Sequence, residues 1–222
     1  MSNELFEKLT RAILDGKDKD AVSFCREAVE KGLTARSVLE NGLMPGIRKV
    51  GELFSIGEYY LPELLISGMA MQAAVAELEP LLNAGGGKFH AGKYLIGTVK
   101  GDIHDIGKNI VVMMLKGNGW EVTDLGVDVP PEKICTAIAE GDYDILGMSA
   151  LLTVTMPAAD EAVKAINKAG LRNKIKIMIG GAPVTQEFAD KIGADGYAKD
   201  AFEAVNKAIS LKGKTRQQER MA

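Results

Sequence analysis

The sequence contains little cysteine and few aromatic residues, and its charges nearly balance. Two cysteines occur in 222 residues, Cys25 and Cys135, which excludes a disulfide framework and a Cys-x-x-Cys metal site. Both are expected to be buried, small apolar residues in a reducing cytoplasm. Lys and Arg number 27 against 30 Asp and Glu, so the formal net charge is −3. Proteins that bind nucleic acid normally have a basic face or arm. The charge balance of this sequence indicates neither, so no nucleic-acid partner is expected.

Signals for a membrane or for secretion are also missing. No apolar run reaches the roughly 18 residues of a membrane-spanning helix. The first residues, MSNELFEKLT, lack the basic region and the apolar core of a signal peptide. A cytoplasmic protein with no membrane partner is therefore expected. Apolar residues make up 46% and charged residues 26%, as in an ordinary globular protein.

Residues 1–83 show the periodicity of a helical bundle. Apolar residues recur there at intervals of three and four, which is typical of one face of a helix. Thr34 is a candidate N-cap, and Gly42 and Pro45 are expected to interrupt the helix that follows it. Pro45 is then expected at the start of a helix that runs towards Leu53. The longest helix is expected to begin near Pro62. Short connections favour an antiparallel bundle of four or five helices.

Residues 93–222 have the pattern of an α/β domain, and residues 84–92, rich in glycine, are expected to form a flexible linker. Short apolar runs alternate with helical stretches. The predicted strands are 94–99, 121–124, 144–148, 175–179 and 196–198. Such alternation indicates a parallel sheet covered on both faces, and a five-stranded sheet of this kind is most often flavodoxin-like. The last helix is expected to end near Leu211, before a frayed polar tail.

The loops that follow the strands' carboxyl ends are where ligands bind in such sheets. The loop after the first strand carries Asp102, His104 and Gly107. The Asp102 carboxylate can accept a hydrogen bond from one ring nitrogen of His104, leaving the other nitrogen for a ligand. Gly107 lets the next helix start close to a bulky ligand. The plain alternative is a loop histidine with solvated acidic neighbours.

Two further loops contain residues with both a structural and a functional interpretation. Ser149, Thr153 and Thr155 are either turn and cap residues or hydroxyl donors to a ligand. Gly180 and Gly181 either form a tight turn or allow a ligand to approach the backbone closely.

Taken together, these motifs resemble the corrinoid-binding signature of the methionine synthase and corrinoid methyltransferase families. The matching residues are Asp102, His104 and Gly107, then Ser149 and Leu151, then Gly180 and Gly181. The helical half resembles the cap domain of the same proteins. Its segment Tyr60-Leu61-Pro62-Glu63-Leu64 corresponds to the cap segment over the cofactor's upper face. The resemblance spans residues 1–211.

The resemblance implies a cobalamin or related corrinoid whose own lower base is displaced from cobalt. His104 would take the lower axial position, and Asp102 would orient it. Thr155 stands where the family places a hydroxyl bonded to that aspartate; many relatives have serine there. This hydrogen-bonded series of His104, Asp102 and Thr155 would allow the gain or loss of a proton to tune His104 as a ligand. The tuning would accompany the change of cobalt between Co(I) and methyl-Co(III).

The remaining site residues follow from the same resemblance. Ser149 and Leu151 would line the groove for the displaced tail, with Thr153 near the corrin edge. Gly180 and Gly181 would let that tail pass against backbone. Tyr60 would cover the upper face. Leu64, Ser67 and Met71 share its helical face, although a stripe of this kind is also typical of a bundle core.

The implied function is that of a methyl carrier, which has no catalytic residues of its own. Its partners would be a substrate-specific methyltransferase and a corrinoid:acceptor methyltransferase, with a reductive activase as a possible third. A corrinoid-dependent sensor is the alternative, although such regulators usually add a DNA-binding head. A flavodoxin-like module for another ligand is a third interpretation. The absorbance spectrum would distinguish it, because a bound corrinoid colours the protein.

One competing motif is rejected. The segment 87–93, GKFHAGK, fits G-x-x-x-x-G-K, but Tyr94 replaces the required Ser or Thr and the segment precedes a strand. His90 in the same segment is expected to be solvated.

Overall fold

A computed structural model describes residues 2–83 and 91–219, with side chains up to residue 213. The chain divides into two compact units. One comprises residues 1–90 with 116–119, and the other residues 91–115 with 120–222. Most of the predicted linker, and with it His90, lies outside the described residues.

The elements run in the following order. They are α1 (Ser2–Leu14), α2 (Asp18–Glu30), α3 (Ala35–Val38), a π-helical turn (Leu39–Leu43), α4 (Met44–Ser55), α5 (Leu61–Asn83), β1 (Lys93–Thr98), α6 (Ile106–Gly117), β2 (Glu121–Asp124), α7 (Pro131–Glu140), β3 (Ile145–Ser149), α8 (Met156–Lys168), a 3₁₀ turn (Arg172–Lys174), β4 (Lys176–Gly180), α9 (Gln186–Ile192), β5 (Gly196–Ala198) and α10 (Ala201–Glu219).

The first unit is the predicted helical bundle, with a core built from one face of each long helix. The buried core residues of α1 and α2 include Leu5, Leu9, Ile13 and Cys25. The Thr34 side chain caps α3 by accepting the backbone N–H of Ser37 at 3.1 Å, as predicted.

The interruption expected at Gly42 and Pro45 is a π-helical turn between α3 and α4, and Pro45 stands near the start of α4, as predicted. The helical backbone continues through this π-helical turn, where the backbone N–H of Met44 donates a hydrogen bond to the carbonyl oxygen of Leu39, five residues earlier. Pro45 then falls in the first turn of α4, where its missing N–H is tolerated.

Helix α5 carries two different apolar faces. Leu64, Ser67 and Met71 are buried in the bundle, so their stripe is core. The Ser67 hydroxyl donates to Leu14 O at 3.2 Å. By length and composition alone α5 is apolar enough to cross a membrane, although no apolar run of that length was expected from the sequence; core helices meet the same test.

The second unit is the predicted flavodoxin-like domain. Its five strands are all parallel and lie in the order β2-β1-β3-β4-β5. Helices alternate with the strands, and the core comprises apolar residues of β1, β3 and β4 with α7, α8 and α9. Cys135 packs against this core but is only half-buried, unlike the buried residue that was expected.

The carboxyl ends of the central strands form one row. Thr98, Ser149 and Gly180 are in register at the ends of β1, β3 and β4. This register brings together the three loops that carry the candidate residues.

The last helix is longer than predicted. α10 continues to Glu219, past the expected end at Leu211. The segment after 211 is polar, but it contains Lys, Arg, Gln and Glu, which are good helix formers, and no proline.

Candidate functional site

The site begins with a tight turn directly after β1. The backbone N–H of Asp102 donates to Val99 O at 3.1 Å, and Gly101 has φ +81°. A positive φ at the third position of a type II turn favours glycine strongly. The turn carries the chain into the domain, so that the Asp102 carboxylate is fully buried.

The Asp102 carboxylate accepts four hydrogen bonds. Its Oδ1 atom accepts from the His104 backbone N–H at 3.0 Å and contacts His104 Nδ1 at 2.8 Å. Its Oδ2 atom accepts from the Leu151 backbone N–H and from the Thr155 hydroxyl, both at 2.7 Å. One carboxylate therefore joins the loop after β1 to the loop after β3.

These bonds determine the ionisation of Asp102. Burial by itself raises the pKa, but the bonds from His104, Thr155 and Leu151 outweigh it and hold the pKa well below the ordinary 3.8. The ionised form is thus favoured in the folded state. Its contribution to stability is present above the ordinary pKa and is lost as the pH falls below it.

An ionised carboxylate only accepts hydrogen bonds, so Nδ1 of His104 carries the ring proton. In the neutral imidazole the lone pair is then on Nε2. The His104 side chain is 46% exposed. Its backbone carbonyl accepts the buried Thr98 hydroxyl at 3.0 Å, which fixes the loop from the strand side.

The Thr155 hydroxyl has one proton and two acceptors. Asp102 Oδ2 lies at 2.7 Å and Leu152 O at 2.9 Å. The charged oxygen is the stronger acceptor, and Leu152 O already accepts the Thr155 backbone N–H at 3.0 Å. The residue therefore acts as the predicted hydroxyl beside the aspartate.

Large apolar side chains surround this polar group at the surface. Exposed examples are Ile103, Ile106, Leu151, Leu152 and Val154. Val154 is 79% and Ile103 74% exposed. A cluster of such residues beside an oriented histidine is typical of a ligand-binding surface.

Two other predicted residues lie at the same edge. Ser149 is half-buried at the end of β3, and Thr153 is exposed in the loop that follows.

The three candidate glycines have different surroundings. A Cβ on Gly107 would have no neighbour within 4 Å. A Cβ on Gly180 would lie 2.9 Å from Ala198 O. A Cβ on Gly181 would lie 1.9 Å from Ala150 O, and Gly181 also has φ +131°. Gly181 is thus required by the protein's own backbone, so the interpretation that it only makes room for a ligand is incomplete.

Tyr60 belongs to the helical unit, where it precedes α5. Its backbone N–H donates to Glu63 Oε2 at 3.0 Å, which caps the helix, and the residue is 67% exposed. An exposed stripe continues from it along α5 through Leu61, Leu65 and Met69. The residues predicted to share a face with Tyr60, which are Leu64, Ser67 and Met71, are buried neighbours of this exposed stripe.

Two contributors to the sheet-edge site were missed. Gly101 forms the turn, and Asp128 in the loop after β2 accepts the Gly101 backbone N–H on Oδ1 at 2.7 Å. The Lys-Gly-Asp order before His104 was an available turn signal, but nothing local pointed to Asp128.

Comparison with known proteins gives matches over both units. Residues 92–206 and residues 5–79 each match a family described as "B12 binding domain". Dimethylamine corrinoid protein 1 of Methanosarcina acetivorans is 43% identical over 208 residues, covering 94% of this chain and 97% of that protein. A corrinoid protein of Desulfitobacterium hafniense strain Y51 is 39% identical over 217 residues, covering 96% and 100%.

Two solved structures also align with most of this chain. A cobalamin-binding protein from Desulfitobacterium hafniense DCB-2 aligns with a TM-score of 0.80 and 32% identity, covering 93% of this chain and 98% of that one. A chain of the methanol:cobalamin methyltransferase complex from Methanosarcina barkeri aligns with a TM-score of 0.79 and 31% identity, covering 95% and 80%.

Proposed function

This chain belongs to the corrinoid proteins of methyltransferase systems, and we propose that it carries a methyl group between two methyltransferase partners with His104 as the lower ligand of cobalt. The observation that carries the proposal is the Asp102 carboxylate, whose bond to Nδ1 leaves the lone pair of His104 on Nε2.

The side chains at the sheet edge fit a corrinoid. In the described part of the chain, no group of three or more His, Cys, Asp and Glu residues could hold a metal ion. A metal at His104 must therefore bring most of its ligands with it, as cobalt in a corrin ring does. The exposed Ile103, Ile106 and Val154 offer the apolar surface that a large organic ring requires.

When bound, the corrinoid supplies a cobalt ion that can accept a methyl group and release it. The chain's own contribution is control of one histidine. Asp102 keeps the proton on Nδ1, and Thr155 fixes the second carboxylate oxygen. The Asp102 carboxylate, 2.8 Å from Nδ1, holds the ring in one orientation.

The remaining site residues receive roles in the same proposal. Ser149 and Leu151 would hold the displaced nucleotide tail, and Thr153 would contact the corrin edge. Gly180 and Gly181 would shape the backbone along that tail. Gly107 leaves open space at the start of α6, as the absence of any neighbour to its Cβ suggests.

The domain organisation follows as a further part of the proposal. Residues 1–83 act as a cap that contributes Tyr60, residues 84–92 join it to the cofactor domain, and residues 93–222 hold the corrinoid. The partners are a substrate-specific methyltransferase, an acceptor methyltransferase and a reductive activase, in the cytoplasm. The comparisons support this carrier over a sensor, since one structural relative comes from a methyltransferase complex.

Histidine ligation is tested by spectroscopy of the loaded protein. Wild type, His104→Ala and His90→Ala are each prepared with ¹⁵N-labelled histidine, loaded with hydroxocobalamin and reduced to Co(II). The cofactor's own base contains ¹⁴N, so electron paramagnetic resonance distinguishes it from a histidine ligand. We expect the doublet splitting of an axial ¹⁵N in wild type and in His90→Ala, the change at the only other histidine. The ¹⁵N splitting should be lost in His104→Ala. A wild-type spectrum without ¹⁵N splitting, or ¹⁵N splitting that persists in His104→Ala, would refute the assignment.

Methyl transfer is tested with the reduced, cobalamin-loaded protein. Partner methyltransferases are captured from the source cell and incubated with it and a panel of donors. Dimethylamine comes first, because close relatives are named for it. Donor-dependent methylation of the protein is expected; its absence with every donor and captured partner would contradict the carrier function.

A further inference from the structure

Asp128 is the one residue other than glycine with a positive φ, +50°, among those that the structure describes. Asparagine and aspartate tolerate this conformation better than other residues, but it still costs free energy. Strained residues of this kind cluster at functional sites. Asp128 lies in the loop between β2 and α7, outside the motif that carries His104.

The conformation lets Asp128 contact the turn before His104 at two points. Its Oδ1 atom accepts the backbone N–H of Gly101 at 2.7 Å. Its own backbone N–H donates to the carbonyl oxygen of Asp102 at 2.9 Å. The two bonds run in opposite directions and enclose the Gly101–Asp102 peptide.

The same loop is anchored to β1 on either side of Asp128. The Thr98 backbone N–H donates to Gly126 O, and the Val129 backbone N–H donates to Thr98 O, each at 3.0 Å. Val99 and Val129 form a parallel bridge. Asp128 is therefore held on a fixed base, and its carboxylate is well placed to fix the turn.

We propose that Asp128 is a positioning residue, which holds the Gly101–Asp102 turn so that the Asp102 carboxylate orients the His104 ring. The inference extends the proposed function, since it assigns a distant loop to the control of the same histidine. It also gives a physical reason for an aspartate at a backbone conformation that glycine would adopt without strain.

Three variants distinguish the effect of the Oδ1 acceptor from the effect of the strained backbone at residue 128. Asp128→Asn keeps an Oδ1 acceptor and tolerates a positive φ. Asp128→Gly removes the acceptor and relieves the strain. Asp128→Ala removes the acceptor and keeps the strain. If Oδ1 positions the turn, Asn behaves as wild type, whereas Gly and Ala both fail.

The first readout needs no cofactor. Long-range ¹H–¹⁵N spectra of the apoprotein at neutral pH report which ring nitrogen of His104 carries the proton, and His104→Gln assigns the signals. We expect wild type and Asp128→Asn to hold the proton on Nδ1. Loss of one hydrogen bond should shift the tautomer ratio about fivefold in Asp128→Gly. Urea unfolding checks that the variants fold.

The second readout is titration of each apoprotein with hydroxocobalamin, in which Asp128→Gly should bind about fivefold more weakly than Asp128→Asn. Unchanged tautomer ratios and affinities in Asp128→Gly would overturn the inference, as would an Asp128→Asn protein that behaves like Asp128→Gly. Failure of the proposed function is distinguishable: wild-type Co(II) protein prepared with ¹⁵N-histidine would lack ¹⁵N splitting, while the tautomer ratios would still decide the role of Asp128.

Discussion

Replacing Gly107 by alanine tests whether the open space at the start of α6 serves a ligand. Gly107 is the second residue of α6, its φ is not in the left-handed region, and an added Cβ meets nothing within 4 Å. The protein itself thus has no steric need for glycine there. Alanine is the better helix former, so the apoprotein should gain about 0.5 kcal/mol, roughly half the interior propensity difference.

The corrinoid should respond in the opposite direction. If the corrin ring occupies the space beside Gly107, the side-chain methyl group of the new alanine must displace either the corrin ring or the loop before α6. Overpacking of this kind costs about 1–3 kcal/mol, equivalent to an affinity loss of roughly 5- to 150-fold. The apoprotein is therefore stabilised while binding is weakened, a combination that general damage to the fold would not produce.

The same substitution at Gly181 is the matched control. There the added Cβ would lie 1.9 Å from Ala150 O, at φ +131°. Strain and displaced backbone together should cost about 3 kcal/mol or more of apoprotein stability.

Urea unfolding of the apoproteins, followed by circular dichroism, and titration with hydroxocobalamin measure both quantities. Gly107→Ala binding with wild-type affinity would refute the idea that the space is needed. A destabilised Gly107→Ala apoprotein, or a Gly181→Ala apoprotein as stable as wild type, would refute the geometry.

Two further predictions concern groups away from the cobalt ligand. Burial, aided by Glu77, raises the pKa of the Cys25 thiol to about 12, whereas Cys135 is half-buried, so a thiol reagent at pH 8 should label Cys135 first and Cys25 only on unfolding. Equal labelling rates would contradict this. The buried Lys108 ammonium pairs with the partly exposed Asp124 carboxylate. Asp124→Ala should therefore cost about 3 kcal/mol and Lys108→Met about 1 kcal/mol in urea unfolding; the reverse order would be inconsistent with this burial.

Local patterns in the sequence were enough to predict much of the site. The pairing of Asp102 with His104 follows from a spacing of two residues, and the structure joins them at 2.8 Å. Thr155 was assigned to the same carboxylate through the family resemblance, and its hydroxyl lies 2.7 Å from it. The role of His104 as a metal ligand stays a prediction.

Other features depended on neighbours that no local pattern reveals. The predicted stripe of Tyr60, Leu64, Ser67 and Met71 could be core or surface, and packing against the other helices decided that Leu64, Ser67 and Met71 are core while Tyr60 is exposed. Gly181 was interpreted through a ligand, although the nearest obstacle is the protein's own Ala150 carbonyl.

The amino-acid sequence alone determined the two-part organisation, the parallel sheet and the loop that holds the histidine, because periodicity and short motifs are local properties of the chain. Tertiary structure decided what Asp102 and Asp128 contact. Asp102 reaches Leu151, 49 residues away, and Asp128 reaches Gly101, 27 residues away. Such contacts form only when the sheet register aligns the strand ends, and that alignment depends on the packing of the whole domain.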